Sequence, residues 1–186
     1  MKPIIRSSES FQVRILRPVE FETLRDSMDG NMKKLCTSLL VTGMRYVELQ
    51  RFRENPDWLD GRFIYLPRGS MMKVKAKQKE RAIRLSDIGK TIISDLFQTM
   101  HPLPSLPAFD MKLRRLSERI LEGQPVNNKT FRKTWESWLV YYYPDKALQI
   151  ALSQGHTTVT QYEHYLNIPF EEQDHKEMRK WVEGWA

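Results

Sequence analysis

Apolar positions near the start of the chain recur at helical spacing. In "NMKKLCTSLLVTGM" they fall at Met32, Leu35, Cys36, Leu39 and Leu40, an i, i+3, i+4 stripe that predicts a helix with Gly43 as its stop. Before it, "RPVEFETLRDSMDG" reads as a short helix with Pro18 in the first turn and Gly30 after its end. After it, "RYVELQRF" adds a helical turn or two until Asn55-Pro56 breaks the pattern. Residues 1 to about 17 read as a mixed, partly extended arm.

The period then changes. "GRFIYLP" and "RAIRLS" are short runs rich in β-formers, and "RGSMMKVKAKQKE" between them carries a Gly-Ser turn signal, so residues 57–86 predict a small antiparallel sheet. Helical spacing returns in "SDIGKTIISDLFQTM", with Ser86 or Asp87 as N-cap. "HPLPSLPAFD", with three prolines, predicts a loop. Helices follow in "MKLRRLSERILEG", closed by Gly123, in "NNKTFRKTWESWLVYYY", capped by Asn127 or Asn128 and ended by Pro144, and in "KALQIALSQ", ended by Gly155. "TVTQYEHYLNI" extends to Pro169, and "FEEQDHKEMRKWVEGWA" predicts a last helix with Trp181 and Trp185 on one side. The expected class is α+β, mainly α-helical with a small antiparallel β-sheet or hairpin. It forms one domain over 1–186, with a core of about 20–170 and a tail of 171–186.

Charge narrows the partner. The chain has 30 Lys+Arg against 23 Asp+Glu, a net charge of +7, which points to an anionic partner and to nucleic acid first. The single cysteine, Cys36, lies among apolar residues. It forms no internal disulfide and no metal site, and it fits a buried position in a reducing, intracellular compartment. No apolar run approaches 18 residues, so no membrane span is expected, and the N-terminus lacks the apolar core of a signal peptide. His156 and His164 have no zinc spacing with a cysteine, and no P-loop is present, so neither metal nor cofactor is expected.

Four stretches carry candidate chemistry. In "TGMRYVEL", Arg45 follows a helix break and can aim a planar fork at a phosphate, and Glu48 three residues on can brace a neighbouring group. In "MMKVKAKQKERAIR", Lys73, Lys75, Lys77 and Lys79 alternate, so a strand places them on one face. Such a face either guards a sheet edge or receives a polyanion. In "NNKTFRKTW", Lys129 and Arg132 share a face at a helix start, where free N–H groups and the dipole already favour an anion. In "QGHTTVTQYEHYL", His156 follows Gly155, and Tyr162 and Tyr165 come after.

In this order the pieces resemble the catalytic domain of the tyrosine recombinases, the phage-integrase family, over about residues 20–170. The family pattern is an arginine in TG-x-R-x-x-E-L, a lysine on a β-hairpin, His-x-x-Arg, Gly-His and a tyrosine. This chain departs from it with Lys129 in place of the histidine, a substitution that resembles the integrases of archaea and their viruses. The resemblance implies that Arg45, Lys77, Lys129, Arg132, His156 and Tyr165 form the catalytic set, with Lys75 the close second to Lys77. It implies that Lys73, Lys75, Lys79 and Arg81 touch DNA. The family spacing of nine residues from the Gly-His histidine selects Tyr165 over Tyr162. The implied partner is double-stranded DNA at an attachment site, bound by a homo-oligomer (a tetramer) on that DNA. The implied chemistry is cleavage and rejoining through a 3′-phosphotyrosine. Relatives carry another DNA-binding domain ahead of this one, which the chain is expected to lack. The rival expectations are a type IB topoisomerase-like relaxing enzyme and a DNA-binding module without chemistry.

Overall fold

The computed structural model describes residues 13–68, 80–98, 102–155 and 170–186. Within them lie α1 (Pro18–Asp26), α2 (Gly30–Thr42), α3 (Tyr46–Glu54), α4 (Asp87–Gln98), α5 (Leu106–Ile120), α6 (Asn128–Tyr142), α7 (Ala147–Gln154) and α8 (Glu172–Val182). Three short strands, β1 (Leu59–Asp60), β2 (Phe63–Leu66) and β3 (Arg81–Arg84), form one antiparallel sheet in the order β1-β2-β3, with Ile64 opposite Ile83 and Leu66 opposite Arg81. The expected class, mainly helical with a small antiparallel sheet, is the observed one.

Two helices are buried almost all round and form the centre. In α2, every residue from Leu35 to Thr42 is buried, and in α6 the stretch Thr130–Leu139 is buried except for Lys133. A helix apolar on one stripe can cover only one neighbour, whereas these two are enclosed by several. They pack on each other, α2 also packs on α4 and α1, and α6 also packs on α5, α7 and α8. Some of the polar side chains inside are tied to the helix backbone: the Thr42 and Ser137 hydroxyls donate to the carbonyls four residues earlier.

The element boundaries follow local chemistry. Asp29 caps α2, its carboxylate accepting from the Met32 N–H, so Gly30 opens α2 instead of closing α1. The stretch expected to be a loop, "HPLPSLPAFD", is helical from Leu106: Ser105 caps the helix, and Pro107 sits in the first turn, where a missing N–H costs nothing. Ser86 rather than Asp87 precedes α4, its hydroxyl accepting from the Gly89 N–H, and Asn127 caps α6.

The chain's last residues complete the core. Met178, Trp181, Val182 and Trp185 are at most 2% exposed, and Phe21 meets Trp181 edge-on at 5.4 Å between ring centres. Arg17 donates through Nε to both carboxylate oxygens of buried Asp174 at 3.0–3.1 Å, and the Tyr143 hydroxyl donates to the Val182 carbonyl. Trp181 and Trp185 thus pack against their own domain. Cys36 is buried as expected, and burial pushes its thiol well above its ordinary pKa. No helix among the described residues is long and apolar enough to cross a membrane.

Trp181→Ala is expected to cost about 3–5 kcal/mol of stability, the range for deleting a large aromatic from a packed core. Urea unfolding of the purified variant checks it. A loss below about 1 kcal/mol, the scale of an exposed substitution, would mean that α8 is peripheral.

Candidate active site

The end of α2 and the first turns of α6 meet at one corner. At the end of α2, Gly43 adopts the left-handed conformation (φ 60°) that closes the helix and turns the chain into Arg45, the residue before α3. A side chain at 43 would also collide with Gln154, whose Oε1 lies 2.3 Å from where its Cβ would stand. One turn into α6, Arg132 reaches back to this corner. Its Nη1 donates to the Gly43 carbonyl at 2.9 Å and its Nη2 donates to the Gln154 carbonyl.

A buried carboxylate ties the corner together. Glu48 has no solvent exposure. It accepts from the main-chain N–H of Arg45 at 2.8 Å and from Arg45 Nη1 at 3.0 Å, a capping arrangement at the start of α3. From the opposite side, Arg81 on β3 makes a two-pronged pair, Nη1 to Oε1 and Nη2 to Oε2, each at 2.8 Å. The Arg81 side chain is 6% exposed, whereas that of Arg45 is 41% exposed. Gly155, left-handed at φ 69°, ends α7 where a Cβ would stand 2.9 Å from Arg81 Cδ, so it lets the turn close over that arginine.

The electrostatics follow from this packing. Burial pushes the Glu48 carboxyl up, but the charge and hydrogen bonds of Arg81, with the charges of Arg132 and Arg45, outweigh it and hold the group down at about 2. Burial, then the charges of Arg81 and Arg45, lowers the Arg132 guanidinium to about 9, so it remains a cation at neutral pH.

The expected residues divide as follows. Arg45 and Arg132 come together at the Gly43 turn. Lys129 is exposed at the first turn of α6, where its N–H donates to the Asn127 side chain and no hydrogen bond joins it to the arginines. Arg81, expected to touch DNA, is turned inward onto Glu48 from β3. Lys73, Lys75, Lys77, Lys79, His156, Tyr162, His164 and Tyr165 lie outside the described residues, although α7 and Gly155 lead directly to His156. Two participants were missed: the inward role of Arg81 and the presence of Gln154. Spacing could have paired Arg45 with Glu48, but nothing in the sequence pairs Glu48 with a residue 33 positions away. Among the described residues no cluster of His, Cys, Asp or Glu is arranged to hold a metal ion.

No family model and no curated protein sequence matches the chain. Solved structures do. The crystal structure of XerA recombinase superposes with a TM-score of 0.60 at 16% identity, over 90% of this chain and 64% of that one. The XerH site-specific recombinase, bound to a palindromic difH substrate in a post-cleavage complex, superposes with a TM-score of 0.57 at 15% identity, over 89% of this chain and 51% of that one. This chain therefore has the fold of the tyrosine recombinase catalytic domain, and it spans about two-thirds and one-half of the length of these two neighbours.

Because the Glu48 carboxyl is held below its ordinary 4.5, its charge stabilises the fold above that pH, and the contribution is lost as pH falls towards about 2. Glu48→Gln is expected to be less stable than wild type at pH 7 and to lose less stability between about pH 4.5 and pH 2. Melting temperatures across that window check it, and parallel curves for the two proteins would remove Glu48 from the ionic network.

Proposed function

We propose that this chain is the catalytic domain of a site-specific DNA recombinase, cleaving and rejoining DNA through a covalent 3′-phosphotyrosine intermediate. The observation that carries the reading is the convergence of Arg45 from the α2–α3 turn, Arg132 from α6 and Arg81 from β3 on one corner of a recombinase fold. Three guanidinium groups gathered this closely repel one another, and Glu48 offsets only part of that charge. A phosphodiester would offset more.

In this reading Arg45, the more exposed of the three, and Arg132 hold the non-bridging oxygens, stabilising the charge that builds on them in the transition state. Arg81 and Glu48 position them. Tyr165 Oη gives up its proton to solvent as it attacks phosphorus, the bond to the 5′-oxygen breaks, and Lys77 gives that oxygen a proton as general acid. His156 hydrogen-bonds the phosphate or positions the tyrosine, and Lys129 adds positive potential near the entrance. Attack by the 5′-hydroxyl of another strand reverses the step and joins a new pair of ends. Lys73, Lys75 and Lys79 are assigned to the DNA backbone. That XerH is bound to DNA supports the same partner here. A tetramer on the attachment site belongs to the same proposal.

Tyr165→Phe is expected to abolish SDS-resistant protein–DNA adducts on a library of nicked duplexes of randomised sequence, while leaving DNA affinity nearly unchanged. Adducts that persist would move the nucleophile elsewhere, with Tyr162 next in line. Arg45→Ala is the cleaner test of the phosphate pocket, since Arg132→Ala would also strip partners from two buried carbonyls. It is expected to slow adduct formation by about 10²–10³-fold, the scale of losing one donor to a developing oxyanion. A loss of melting temperature without a loss of rate would make Arg45 structural. Recombinant rather than merely relaxed products would separate this reading from a topoisomerase-like one.

A further inference from the structure

The residue before Gly155 is a glutamine whose side chain has no evident structural task. Gln154 is 0% exposed, and among the described residues neither its Oε1 nor its Nε2 has a hydrogen-bond partner. Exchanging oxygen and nitrogen would not change this, because both atoms are in the same position. A buried carboxamide left in this state is destabilising, and native structures carry few of them. Packing does not require one either. Of the other buried side chains of α7, Ile150 and Ala151 are apolar and the Ser153 hydroxyl accepts from the Arg84 N–H, and at 154 a methionine would fill the same volume.

Its location is informative. The carbonyl of the same residue accepts from Arg132, and the carboxamide occupies the space that a side chain at Gly43, two residues before Arg45, would take. The charged groups that act on Arg132 are Arg81 and Arg45 on one side and Glu48 and Glu136 on the other, so with Arg132 itself the corner carries one cation in excess. An anion is the ligand that such a surplus attracts, and an anion is what an N–H₂ group can serve.

We propose that the Gln154 carboxamide is a further substrate-contacting donor of this pocket, giving an Nε2–H to a non-bridging oxygen of the phosphodiester that Arg45 and Arg132 hold. The inference rests on the recombinase reading above. A neutral donor orients the phosphate without adding to the repulsion among the arginines. Its three side-chain torsions let the amide turn off Gly43 when the phosphate enters.

The test compares wild type, Gln154→Met and Gln154→Glu on the randomised nicked-duplex library, measuring single-turnover adduct rate, DNA affinity and melting temperature. Gln154→Met, which keeps the volume and removes the unpartnered polar atoms, is expected to melt at or above the wild-type temperature. Its adducts are expected to form about tenfold more slowly or worse, at an affinity within about threefold of wild type. Gln154→Glu, which directs a negative charge at the phosphate, is expected to lose about a hundredfold in rate while remaining folded beside the arginines. A Gln154→Met protein that reacts at the wild-type rate, or whose lost rate tracks a lost melting temperature, overturns the inference. So does a Gln154→Glu protein as active as wild type. A wild-type chain that forms no adduct overturns the recombinase reading beneath it, which is a separate outcome.

Discussion

The corner where α2, α3, α6, α7 and β3 meet depends on one buried carboxylate. Glu48 is fully enclosed, and a lone carboxylate there would take up a proton rather than stay charged. Arg81 prevents this with two parallel hydrogen bonds, and Arg45 adds a third contact from the position just before α3. The dependence is mutual: Arg81 is itself nearly enclosed, and among the described residues Glu48 is the carboxylate that pairs with its charge. Buried ion pairs of this kind rarely outperform well-packed apolar residues in stability. What they provide is fixed direction. The pair joins the small sheet to the start of α3, and so sets where the more exposed fork of Arg45 points.

The frame around this corner was largely legible in the sequence, because its signals are local. The stripe from Met32 to Leu40 announces a helix, Gly43 announces its end, and the Arg45–Glu48 spacing is that of a helix start. Where local signals conflicted, reading them was harder. Three prolines outweighed the helical spacing in "HPLPSLPAFD", yet Pro107 falls in the one part of a helix that tolerates it. Gly30 looked like the end of one helix and is the beginning of the next, because Asp29 is the stronger cap. Contacts across the chain left no such trace. That an alternating basic run would hand over to an arginine facing inward depends on the β2–β3 register, which no spacing within the run encodes.

The fold and the chemistry rest on different evidence. The likeness to XerA and XerH recombinases is one of backbone path at 15–16% identity, and it speaks for the architecture. The chemistry depends on side chains, and here the chain has features of its own. Lys129 stands at the head of α6 and faces outward, whereas Arg132, one turn further, faces inward. A cation at the exposed end of a helix N-terminus contributes long-range potential more than contact, so under the proposed function Lys129 would attract DNA rather than transfer a proton.

Arg132 shows why the corner requires arginine in particular. It is buried in a setting that lowers its proton affinity, and two main-chain carbonyls accept from its fork. A lysine there, compressed by the same burial and the same neighbouring charges, starts from a lower pKa and would approach neutrality, losing the charge that a phosphate pocket needs. It would also have to span two carbonyls contributed by different helices with a single point of attachment. The planar fork does both at once: it joins the end of α2 to the end of α7 while remaining a cation. In this corner the group that would recognise a phosphate is therefore also the one that holds the helices carrying it in register.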